Sequence, residues 1–225
     1  MTIRFCPKVS MMIRLSPWLL AALLAGCSNP FAPEKTVPTD VEEKPPAELT
    51  TTPEIVMANL ERSFSDRDKD LYDSILDDSF WYSETDCLGE FVLINDKEQE
   101  LQIMGTRDGS NQGIFDIFRT IEWTFQQSQR YTELGRDYPQ VNEDDIDGHP
   151  AEDWEVFRGR VEILLLRSAD DGFRVSQIMN FKLRQGDDDL WRIVRWISDP
   201  LSGDCGDGDA GRPVSTSMSW GQVKR

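Results

Sequence analysis

The chain has 225 residues, with 24 Lys or Arg against 41 Asp or Glu, a formal net charge of −17 and a pI near 4.4. Such an acidic chain repels phosphate backbones and anionic headgroups, which argues against nucleic acid as a partner. One histidine and four cysteines, with no Cys/His cluster, argue against zinc and other soft-metal centres. Seven Trp within 10% aromatic residues supply enough apolar bulk for one domain core.

The first element is the apolar run Trp18 to Gly26, about half the roughly 20 residues a helix needs to cross hydrocarbon. Arg4, Lys8 and Arg14 precede it without an acidic residue, as in the basic n-region of a secretory signal, and Met11 or Met12 leave a later start open. Leu24-Ala25-Gly26-Cys27 then resembles the lipobox of bacterial lipoproteins, in which the signal is cleaved before the cysteine and the thiol is acylated. The alternative is an ordinary signal peptide with a cysteine there by chance. The resemblance implies a multiply acylated Cys27, and several acyl chains hold a protein at a bilayer where one does not. Ser28 and Asn29 follow with no Asp at the second position, which implies delivery to the outer of two membranes. Residues 1–26 are thus expected to be removed. Three positive charges leave with them, taking the formal charge from −17 to −20.

Residues 27–52 carry Pro30, Pro33, Pro38, Pro45 and Pro46 among charged and small residues, the composition of an extended, semi-rigid tether. Thr52-Pro53-Glu54 supplies a cap, a proline for the first turn and an acid beside it, and Val56, Leu60 and Phe64 then fall on one helical stripe. A second helix is predicted after Ser65–Asp68, with Leu71, Ile75 and Leu76 inward and Asp77-Asp78 ending it. Phe80-Trp81-Tyr82 reads as a short strand, and residues 95–105 and 111–118 read as helical. From Ile121 the period changes to two. Ile121, Trp123 and Phe125 alternate with polar residues, Trp154 to Arg167 forms a long strand, and Phe173 to Leu183 and Leu190 to Ser198 form two more across tight turns. Helices first and an antiparallel meander after give an α+β domain over residues 53–200, followed by a loose loop and C-terminal segment over 201–225.

The run from Glu61 to Tyr82, ERSFSDRDKDLYDSILDDSFWY, resembles the opening of nuclear transport factor 2-like, or SnoaL-like, cone domains. In these, two helices joined by an Arg-Asp lead into a Leu-Asp-Asp-x-Phe strand entry. LWRIVRWISD, Leu190 to Asp199, is similar to the last strand of that family, and TSMSWGQVKR, Thr216 to Arg225, is similar to the short closing segment of lipoproteins of this type. The resemblance implies helices packed on a curved antiparallel sheet with a pocket between them. Its members include ketosteroid isomerases, dehydratases, polyketide cyclases and non-catalytic binding subunits, so it does not decide function.

Counted from Asp78, the position of the isomerases' catalytic Asp holds Ser83 here. Glu84 is next to it, and strand alternation is expected to point it to the opposite face, leaving Glu84 and Asp86 as weak substitutes for a base. His149 lies in Gly148-His149-Pro150 and is expected to be a solvated loop residue rather than a general base. No nucleophile motif is present. Glu143-x-Asp145-x-Asp147-Gly148 mimics the start of a calcium loop, but its twelfth position is Trp154, where a bidentate Glu is required. This loop and Asp204-x-x-Asp207-x-Asp209 therefore read as solvated acidic loops.

Trp81, Trp123 and Phe181 are candidate pocket-lining residues, and parity is expected to place Trp191 and Trp196 on opposite faces. With Cys6 in the signal and Cys27 lipidated, Cys87 and Cys205 are a candidate disulfide in an oxidising compartment. These readings describe a lipid-anchored envelope protein whose domain binds or scaffolds, with no catalytic residue, cofactor or metal. Its expected partners are the membrane, through Cys27, and an apolar ligand or a second copy through the sheet face. The alternative is a SnoaL-like isomerase or cyclase acting on an apolar small molecule.

Overall fold

The computed structural model of the protein describes residues 46–142, 145–201 and 217–224. Cys27, the tether up to Pro45, Cys205 and the acidic loop at Asp204–Asp209 lie outside the described residues. Among those described, no helix is long and apolar enough to cross a membrane.

Helix α1, Pro53–Asp66, starts with proline in its first turn and buries Val56, Leu60 and Phe64 along the predicted stripe. It ends at Arg67, whose φ of 55° puts a residue with a β-carbon in the left-handed region. There the Asp68 amide donates to the Ser63 carbonyl at 2.9 Å and closes the last turn. Helix α2, Lys69–Ser74, is capped by Asp68, which accepts from the Leu71 amide at 2.9 Å. Strand β1 runs from Leu76 to Thr85, so Asp77 and Asp78 open the strand rather than close the helix as expected.

Strand β2, Phe91–Asp96, takes the first two residues of the predicted 95–105 helix. The helix itself, α3, spans Lys97–Met104 because Asp96 and Gln99 form a reciprocal capping box that fixes its start. The second predicted helix shrinks to α4, Ile114–Ile117. Long strands follow: β3 (Thr120–Glu133), β4 (Trp154–Ser168), β5 (Asp171–Gln185) and β6 (Trp191–Asp199). A two-residue strand β7, Ser217–Met218, leads into a short helix α5, Trp220–Val223.

The order across the sheet is β2-β1-β6-β5-β4-β3, with β7 added against β5. The meander β3 to β6 is antiparallel as predicted, but β1 pairs with β6 in parallel, so the sheet is mixed. Strand β6 covers β5 from Ile178 to Gln185, and β7 takes over at Arg174 and Val175, where β6 has ended. Helix α1 lies on one face of this sheet, against β3 and β6. On that inner face Phe64 touches five rings, those of Tyr72, Phe115, Trp123, Trp196 and Trp220, at centroid distances of 4.6–6.3 Å.

One sequence expectation fails at a bulge. Lys182 pairs with Arg195 and Leu183 with Ile193, so one extra residue, Val194, sits in β6. The bulge resets the alternation. Ile193 and Trp196 both enter the core and Trp191 packs against it, so Trp191 and Trp196 share a face instead of dividing between two.

Candidate functional site

Alternation along β1 is set by its apolar residues. Phe80 and Tyr82 are sealed in the core, which puts Glu84 on the same inner face and Ser83 on the other, the reverse of the expected arrangement. Glu84 is buried, and the Gln177 side chain on β5 donates to its Oε1 at a long 3.4 Å. From α3, Glu100 reaches the same interior with no exposed surface and accepts from the Tyr72 hydroxyl at 2.8 Å. Of the candidate lining residues, Trp123 and Phe181 stand in the core, whereas Trp81 alternates to the outer face and pairs with Arg195.

The interior is filled from the C-terminus. Ser219 and Gln222 form a capping box that starts α5, and the Trp220 amide donates to Gln177 Oε1 at 2.7 Å. The Trp220 ring stacks 12° from parallel on Trp196, with centroids 6.3 Å apart. Gly221 lies against Glu84 so closely that a β-carbon there would overlap the carboxylate.

Lys224 then turns inward. Its ammonium donates to Glu100 Oε2 at 2.6 Å and lies 3.3 Å from the Tyr82 ring centroid, with Trp220 and Trp196 at 5.2 and 5.4 Å. Burial pulls its pKa down to about 8, and the Glu100 charge, then Glu84, oppose that fall, so the group is an ammonium at neutral pH. Burial, followed by the neighbouring carboxylates, holds the Tyr72 and Tyr82 hydroxyls well above the ordinary tyrosine value, so both stay protonated. The Tyr82 and Ser198 hydroxyls are buried together, and their interaction offsets only part of the rise at Tyr82. In chemical terms the arrangement is two carboxylates and three aromatic rings around one cation.

The outer face carries a second network. His149 is buried, contrary to the expectation of a solvated loop residue. Its ring stacks between Tyr138 at 4.9 Å and Trp154 at 3.8 Å, and its Nδ1 lies 2.9 Å from the Glu152 carbonyl. The stretch that follows β3 folds back over the sheet there. Lys182 Nζ binds Glu133 at 3.0 Å and Asp147 at 2.7 Å, while Arg184 donates to Asp77 at 2.7 and 2.8 Å. Asp147, one of the acids of the calcium-like loop, is thus committed to a lysine. Asp145 accepts from the Val141 amide at 3.0 Å, and no metal-holding cluster occurs among the described residues.

Elsewhere, a groove of about 760 Å³ lies between α2 and α3. Within it Asp73 pairs with both Lys97, at 3.1 Å, and Arg107, at 2.6 Å. Cys87 is in a disulfide, and the other three cysteines lie outside the described residues.

No protein-family model matches the sequence, and no curated protein matches it. The chain is similar to solved structures of low sequence identity. A nuclear transport factor 2-like protein from Rhodospirillum rubrum is 12% identical over 66% of this chain and 97% of that chain, with a TM-score of 0.40. The beta subunit of benzoate 1,2-dioxygenase from Burkholderia mallei is 10% identical over 68% and 91%, with a TM-score of 0.43. A nuclear transport factor 2-like superfamily protein from Salmonella enterica is 11% identical over 68% and 92%, also at 0.43. These likenesses concern the course of the chain and say nothing of its chemistry.

Proposed function

We propose that the protein is a lipid-anchored component of the cell envelope whose α+β domain binds or scaffolds without catalysing a reaction. The observation that carries the non-catalytic reading is the occupied interior. The inward acids Glu84 and Glu100 are buried and already engaged by Gln177, Tyr72 and the chain's own Lys224, which supports an interior that does not turn over a substrate. The anchor rests on Leu24-Ala25-Gly26-Cys27, and Ser28-Asn29 favours the outer membrane. Partners in this reading are the membrane through the lipid, and an apolar ligand or a second copy through the sheet face. Cys27→Ser should leave an uncleaved precursor that takes up no fatty acid, and normal labelling of that variant with a palmitate analogue would remove the anchor.

One observation favours the second reading, a SnoaL-like isomerase or cyclase. Glu84 does face the interior, beside Tyr82, where a base would stand. Turnover of an enone substrate by the full chain, lost in Glu84→Gln, would establish the enzyme and end the non-catalytic reading.

A further inference from the structure

The closing segment leaves a chemical record of what the interior accepts. Lys224 is a primary ammonium whose side chain is 1% exposed, held by a carboxylate that is wholly buried and by the faces of Tyr82, Trp196 and Trp220. A buried ammonium survives only where a carboxylate and ring quadrupoles replace its water. Four of the groups that do so, Glu100, Glu84, Tyr82 and Trp196, belong to the domain and not to the tail.

Among the described residues the tail is held by a two-residue strand, one four-residue helix, the hydrogen bond from the Trp220 amide to Gln177, the packing of the buried Trp220 ring on Phe64 and Trp196, and the Lys224 ion pair. A four-residue helix has no stability of its own. Docking of α5 therefore depends on these contacts, and a ligand of matching chemistry would make the same ones.

We propose that the interior of the domain is a binding site for a small organic ammonium ion bearing an apolar group, and that the chain's own Trp220 and Lys224 occupy this site when no such ligand is present. The proposal rests on the binding reading and gives it a ligand class. A ligand of this kind puts its cation against Glu100 and the Tyr82 face, lays its apolar part on Trp196 and Phe64, and displaces the tail. Anions are rejected by Glu84 and Glu100. Neutral apolar molecules gain the ring contacts but leave both carboxylates without a cation.

The experiment uses the full chain and tryptamine, which joins an indole to a primary ammonium. In Gly221→Val the branched side chain overlaps the Glu84 carboxylate, and loss of hydrogen-exchange protection at the Trp220 amide checks that the tail, not the Glu84 side chain, has moved. Calorimetric titration should show tryptamine binding this variant roughly tenfold to a hundredfold more tightly than the unaltered chain, with the gain lost when Glu100→Gln is added. Equal affinity in the variant and the unaltered chain, or a gain that persists without Glu100, overturns the proposal. So does equally tight binding of neutral 3-methylindole, an outcome that leaves the binding reading in place.

A second variant serves if Gly221→Val fails to fold. Lys224→Ala keeps the rings and Glu100 and leaves room for a cation. Its lowered Tm should be restored by n-butylammonium chloride and not by butanol, and failure of that rescue counts against the proposal. Enone turnover by the full chain would remove the non-catalytic reading while leaving ammonium capture standing.

Discussion

Lys224 and Glu100 are 124 residues apart in sequence, and their charged atoms meet at 2.6 Å with both side chains closed off from water. The pair ties the last helix to α3 across the open side of the sheet. Removing one partner of a buried pair costs about 3–5 kcal/mol when the other charge must stay buried. Lys224, carried by the short helix α5, can instead leave when that helix undocks. Glu100→Gln is therefore expected to release the tail more than to unfold the domain. Hydrogen exchange should show the Trp220 amide losing protection while strands β3 to β6 keep theirs. Full protection at Trp220 in the variant would mean that the pair does not hold the tail.

Phe64 is expected to be the costliest single truncation in the core. It has no exposed surface and joins rings contributed by α2, α4, β3, β6 and α5. Phe64→Ala should cost about 3–5 kcal/mol, read as a shift in the urea midpoint at unchanged slope. A loss below about 1 kcal/mol would show that the cluster collapses around the cavity.

The Asp77–Arg184 pair gives a defined acid response. Burial pushes the Asp77 carboxyl up, but hydrogen bonds from Arg184 and from Ser79 outweigh it and hold the group below the ordinary aspartate value. A carboxyl depressed in the folded state binds its proton less readily than in the unfolded chain. Its contribution is therefore fully present above about pH 4, the unfolded value, and is lost as pH falls through the lower folded value. The stability gap between the unaltered chain and Asp77→Asn, measured by denaturation, should be widest near neutrality and close as the pH falls below the ordinary aspartate value. A gap that stays constant with pH would assign the effect to packing.

Cys87 sits in the turn between β1 and β2, and its disulfide partner is expected to be Cys205, just beyond β6. A bridge of that span closes a loop of more than 100 residues, worth about 4–5 kcal/mol in the chain-entropy account. Mass spectrometry of unreduced digests should find the two peptides joined. A link from Cys87 to any other cysteine would end that pairing.

The stripe of Val56, Leu60 and Phe64 and the alternation of Ile121, Trp123 and Phe125 were legible because each depends on residues a turn or two apart. What escaped depends on distant partners. The facing of Trp191 is decided by the bulge at Val194, and that of Glu84 by the apolar pair Phe80 and Tyr82, which takes the inner side. His149 is buried by the stacking of Tyr138 and Trp154 on it, which no local pattern encodes. Helix α5 is too short for a period to show, although Ser219 and Gln222 at capping-box spacing were readable as a helix start.

The parallel pairing of β1 with β6 governs the order in which this molecule can assemble. The hairpins from β3 to β6 join neighbours in sequence and can zip one after another. Strand β1 has to wait, because residues 76–84 find their second edge only on residues 193–198, and Thr85 bonds Asp199 across 114 residues. Long-range closures of this kind are entropically costly and late. The first strand made is thus among the last to gain both of its neighbours, and Tyr82 lacks the Trp196 ring it packs on until β6 has been added.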